Sequence, residues 1–170
     1  MLSKIEKYIN QAMQLGAEHV VAVEPDDIVF DGRTLLKCMF GCNDWGKGPT
    51  CPSRTGFLKP WEIEPLLRKY KTVLIIHSQS KKTAQKVAFN IEREAYLDGD
   101  VLAFSMSDCA ICETCAGKKG KECKDKIRAR PAFHSVGIDV FATVSKIKLP
   151  LKPLRDKDEQ QNWYSAVWLN

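Results

Sequence analysis

Apolar residues recur along this chain with two periods, and the changes between them outline an alternation of helices and strands. Ser3 followed by Glu6 forms a capping-box pattern, and Ile5, Tyr8, Ile9, Ala12 and Met13 follow at helical spacing until Gly16. His19 to Val23 predicts a strand, Pro25-Asp26-Asp27 a turn, and Ile28 to Phe30 a second short strand. Asp31-Gly32 is a turn signal after which Arg33 to Leu36 could pair back as a hairpin. Pro60 and Pro65 suit early positions of short helical turns that bury Leu66, Leu67 and Tyr70.

Val73 to Ile76 is a continuous apolar run, the pattern of a strand covered on both faces. Lys81 to Leu97 reads as a helix, with Ala84, Val87, Ala88, Ile91 and Ala95 on its inner side. Asp98-Gly99-Asp100 ends it, and Val101 to Ser105 predicts the next strand. That order suits a parallel crossover unit. Pro131 could open a helix to about Lys146, in which Gly137 marks close packing or a bend. Pro150 to Asn162 is polar, and Trp163 to Leu169 predicts a last strand whose Trp168 belongs in a sheet or a dimer interface.

Two stretches resist both periods, residues 38–56 and 108–125, and between them they hold every cysteine. The expected architecture is therefore α/β, a layered sheet with flanking helices and two cysteine-rich metal-binding loops, within one domain over 1–170. No run approaches the roughly 18 apolar residues of a membrane span. Met1 to Ile9 lacks the apolar stretch of a secretory signal. A cytoplasmic location is expected. In a reducing compartment seven cysteines, an odd number, point to metal rather than disulfides.

The second group, Cys109-x2-Cys112-x2-Cys115-x7-Cys123, has three closely spaced thiols and a remote fourth. Ferredoxins hold a cubane with such a loop, whereas zinc sites favour two separated knuckles. The expected cofactor is a [4Fe-4S] cluster, one or two per chain, with zinc as the alternative. The first group, Cys38-x3-Cys42-x8-Cys51-Pro52, offers three cysteines. It fits a second cubane with one open iron, or a fourth ligand from His77 or His134. Ligands could also be shared across the loops, with Cys51 joining the second triple and Cys123 joining Cys38 and Cys42. Buried or zinc-bound thiols stapling the loop are the remaining alternative.

Around Cys123 crowd Lys118, Lys119, Lys121, Lys124, Lys126, Arg128 and Arg130, which supply much of the basic excess behind the net charge of +5. They could offset a cluster's charge of about −2 or dock an acidic redox partner. No aromatics are interleaved among them, which makes nucleic acid an unlikely partner. Arg130 could donate to cluster sulfurs, Asp108 could cap its loop, and Trp45 could shield a cluster from solvent.

Cys42-x2-Trp45-Gly46-x4-Cys51-Pro52 and the second cysteine group, continuing into Ala129-Arg130-Pro131 and Val136-Gly137-Ile138-Asp139-Val140, resemble a family described as predicted metal-binding proteins, domain of unknown function twenty-two eighty-four. The resemblance spans about Leu36 to the end. It implies that Cys38, Cys42, Cys51, Cys109, Cys112, Cys115 and Cys123 are the metal residues, and it implies no substrate. Ser53 stands where a second proline is common, and Cys38 and Cys42 are spaced by three residues where two are expected.

Three functions fit. One is a redox or electron-transfer accessory protein. Another is an enzyme whose open-iron cluster acts on a small substrate, with His77, Lys47 or Asp44 as acid or base. The third is a zinc-binding structural or interaction module. No nucleotide loop, dinucleotide fingerprint or serine–histidine nucleophile is present, so whether the chain is an enzyme stays open, as does oligomer formation.

Overall fold

The computed structural model describes residues 3–170; Met1 and Leu2, the start of the stretch read for a signal, lie outside the described residues. Helix α1, Lys4–Gln14, begins at the expected capping box: the Ser3 hydroxyl accepts from the Glu6 N–H, and the Glu6 carboxylate accepts from the Ser3 N–H. Strand β1 is His19–Val23, β2 Thr72–Ser78, β3 Phe104–Ser107 and β4 Trp163–Leu169. They form one sheet in the order β1-β2-β4-β3, with every neighbouring pair antiparallel.

Helix α4, Lys81–Leu97, connects β2 to β3 as expected, but those strands do not pair. They run parallel to one another with β4 between them. A central place needs a strand that is apolar on both faces, and β4 is buried at every position after Trp163. Strand β3 starts later than Val101, because Val101 and Leu102 lie exposed in the turn that closes α4.

Each face of the sheet carries its own core. Leu74, Ile76 and Val167 pack under α1 and α4, against Tyr8, Ala12, Val87, Ala88 and Ile91. Val73, Ile75, Ala166 and Trp168 point to the other face, which is covered by helix α3 (Pro60–Leu67), helix α5 (Val140–Lys146) and the 3-10 turn Phe133–Val136. Trp168 is thus fully buried within the chain's own core. Among the described residues no helix is long and apolar enough to cross a membrane.

Two expectations change around the site. The hairpin at 28–36 does not form: Phe30 makes a single bridge to Ile138, and Thr34–Gly41 is a helix, α2. An Asp31 side chain that accepts from the Arg33 N–H turns the chain before it, so the backbone coils instead of pairing back. The long helix expected from Pro131 is also broken. Gly137 adopts a left-handed φ of 91°, and an added Cβ would stand 2.5 Å from Pro60 Cβ. Asp139 then caps α5 by accepting from the Ala142 N–H at 3.0 Å. Pro60 and Pro65 share one helix, α3, with Pro60 in its first turn.

Candidate metal centre

Cys38 sits within α2, and Cys42 caps that helix. A spacing of four residues is one helical turn, so the two thiols rise from the same face. This accounts for the three intervening residues. After Cys42 the chain folds through successive tight turns, with the Trp45 N–H donating to Cys42 O and the Cys51 N–H to Gly48 O. Cys51 Sγ lies 3.2 Å from the Gly46 N–H donor and 3.0 Å from Ser53 Oγ. Ser53, the departure from the proline pattern, therefore serves the sulfur directly.

The second group leaves from β3 and returns at Pro131. The Ser107 N–H donates to Pro131 O at 3.0 Å, which ties the entrance of this segment to its exit. Inside it the Ala110 N–H donates to Gln85 Oε1, and a 3-10 turn at Gly117–Lys119 follows Cys115. The two segments meet at Gly117, where an added Cβ would stand 2.2 Å from Lys47 O. Lys118 Nζ pairs with Asp44 at 2.7 Å across the same junction.

All seven cysteines line one cavity of about 200 Å³. Asp44, Trp45, Lys81, Asp108 and His134 share its wall. The 3-10 turn that carries His134 packs against α2, and His134 and Cys38 line the same cavity. Cys38 is the buried member of the set. Burial, with Cys42, Cys51 and Asp108 close enough to repel its charge, pushes its thiol up to about 11. Deprotonating such a thiol requires a positive partner at the sulfur, which is what a metal supplies.

Among the described residues no three cysteine, histidine or acidic side chains converge tightly enough to hold a single metal ion. The thiols instead line a shared cavity, a donor set that suits a metal with thiolate ligands.

Other candidates lie elsewhere or are committed. His77 is absent from the cavity wall: its Nδ1 is 2.9 Å from His19 Nδ1 and its Nε2 2.8 Å from Asn162 Oδ1, so neither nitrogen is spare for a metal. Lys47 Nζ donates to Asn43 O. Arg130 does not face the sulfurs; it forks onto Glu92 at 2.9 and 2.6 Å, and Glu92 also accepts from the Ser105 N–H. Within the basic run Lys126 pairs with Glu122 and Arg128 with Asp125, while Lys124 lies in the cavity wall beside Cys123.

A family model covers residues 21–169. The chain belongs to the predicted metal-binding protein family DUF2284. The match to this family takes in both cysteine groups, all four strands but the first residues of β1, and everything between them. No curated protein and no solved structure matches the chain. Membership in DUF2284 makes this a predicted metal-binding protein, and the cysteine-lined cavity is the place in the fold where thiol donors gather.

Proposed function

We propose that the protein holds iron as a [4Fe-4S] cluster, one or two per chain, on Cys38, Cys42, Cys51, Cys109, Cys112, Cys115 and Cys123, and serves as a redox accessory protein. The observation that carries this reading is that seven thiols from two distant segments line one cavity. Bound there, a cluster would supply one-electron chemistry. The chain's own part is to hold and to tune. Cys38 is the buried thiol, the Gly46 N–H donates to Cys51 Sγ, Ser53 Oγ lies within hydrogen-bond distance of the same sulfur, and Trp45 stands in the wall. Lys119, Lys121 and Lys124 make no ion pair among the described residues, and they offer a docking face to an acidic redox partner.

A second reading, an enzyme with an open iron site, draws support from Asp108, Lys81 and His134, which stand in the cavity wall as acid and base groups.

Iron, zinc and acid-labile sulfide, measured after anaerobic purification together with the electron paramagnetic resonance spectrum, test the assignment. About four or eight irons with matching sulfide are expected. Eight with a spectrum sensitive to added small molecules favours the enzyme. Zinc without sulfide, unchanged by reconstitution, would mean a metal-stapled interaction module instead. Cys112→Ala is expected to abolish colour and iron; retention of both removes Cys112 from the ligand set.

A further inference from the structure

The two cysteine groups differ in number, and the difference leaves one position to fill. The second group brings four thiols, Cys109, Cys112, Cys115 and Cys123, and the first brings three, Cys38, Cys42 and Cys51. A cubane presents four irons, each of which takes a ligand, so a cluster on the first group is one donor short. Imidazole nitrogen joins thiolates at iron–sulfur and at zinc centres alike.

The chain has three histidines. His19 and His77 hydrogen-bond each other, and His77 also Asn162, on a strand pair outside the cavity. His134 is placed differently. In the 3-10 turn Phe133–Val136 residues three apart share a face, and Phe133 and Val136 are both buried in the core with Ile75 and Trp168. His134 and Ser135 are thereby turned off that face, and both stand in the wall of the cysteine cavity. Among the described residues the half-buried His134 ring makes no hydrogen bond. The carboxylates of the same wall serve less well: Asp44 is paired with Lys118, Asp125 with Arg128, and Asp108 adjoins Cys109 of the complete group.

The turn is also fixed against the three-thiol group. It packs on α2, which carries Cys38 and ends at Cys42. Just before α2 the Asp31 N–H donates to Gly137 O at 2.7 Å, and Phe30 bridges Ile138. A donor held in place before the metal arrives loses little freedom on binding it.

We propose that His134 is the fourth ligand of the cluster held by Cys38, Cys42 and Cys51. The assignment rests on the iron–sulfur reading above and deepens it: with an imidazole in the last position this group has no open iron, which suits electron transfer and takes His134 out of acid–base duty.

The test uses the full chain grown on nitrogen-15-labelled histidine, purified anaerobically and reduced with dithionite, with nitrogen couplings read by pulsed electron paramagnetic resonance beside iron, zinc and sulfide content. A coupling from directly bound nitrogen is expected, kept in His19→Gln and lost in His134→Cys. That second variant offers a thiolate in place of the imidazole, so it should keep its full metal load and show a lower reduction potential than the parent. His134→Ala should regain the coupling when labelled imidazole is added. Full iron and sulfide without any nitrogen coupling would overturn the ligand assignment and leave the iron–sulfur reading standing. A coupling that persists in His134→Cys would overturn it as well. Zinc without sulfide removes the iron–sulfur reading instead; X-ray absorption at the zinc edge then decides the ligand separately, nitrogen in the zinc shell supporting His134 and an all-sulfur shell overturning it. A chain that binds no metal after reconstitution overturns both.

Discussion

Gly117 shows how much of the metal centre rests on single atoms. Its missing Cβ lets the second cysteine segment lie directly on the Lys47 carbonyl of the first, and an added Cβ would also stand 3.6 Å from Cys115 Sγ. Gly117→Ala must push the backbones apart, so the variant is expected to keep its far-UV circular dichroism and lose most of its metal. A fully loaded variant would show that the two segments do not cooperate. Ser53 acts on one sulfur: opposite a metal-bound thiolate its hydroxyl can only donate. On the iron–sulfur reading, Ser53→Ala therefore lowers the reduction potential measured by spectroscopic titration, because a hydrogen bond that stabilised the reduced, more negative centre is gone. Arg130 acts on stability instead. Its fork to Glu92 is largely buried, and guanidinium contacts to the Phe89 and Phe104 rings lie at 5.2 and 5.8 Å. Arg130→Ala strands the carboxylate and should cost about 3 kcal/mol in urea unfolding, while Arg130→Lys recovers only part of it.

At the scale of elements, the junction of α3 with the turn before α5 decides where His134 and Ser135 stand in the cavity wall. Gly137 makes that junction possible, both by its left-handed φ and by the room it leaves for Pro60. Gly137→Ala is expected to lose about 2–4 kcal/mol, the sum of a left-handed backbone and an overpacked contact, read as a lower urea midpoint with an unchanged slope. The helix α2 performs the corresponding service for Cys38 and Cys42. By sequence Cys38 onward reads as loop, because the glycine- and proline-rich neighbourhood hides the helical four-step between Cys38 and Cys42. The hairpin reading failed for a related reason: Arg33 to Leu36 is too short for its period to distinguish strand from helix, and the deciding contact is with the distant 3-10 turn at 133–136.

Across the whole molecule, half-buried carboxylates paired with cations shape the response to acid. Asp31, held down to about 2 by the Arg33 guanidinium, and Glu159, held to about 2 by Lys152 and then by two backbone N–H groups, bind protons less readily folded than unfolded. Their contribution is complete above their ordinary values of 3.8 and 4.5 and is lost as pH falls toward 2. The urea midpoint should therefore hold level from neutral pH to about 5 and drop below about 4, less steeply in high salt because their cationic partners Arg33 and Lys152 stand in solvent. Local spacing and caps were enough to place the helices with clean periods, α1 and α4 to within a residue, the apolar strands β1, β2 and β4, and the clustering of thiols into two segments. These are local properties, carried by spacing and caps. Tertiary structure alone decided that β4 lies between β2 and β3, that both cysteine groups line one cavity with His134 in its wall, and that Arg130 turns to Glu92. Each of those depends on which distant surfaces meet, and no local period encodes that.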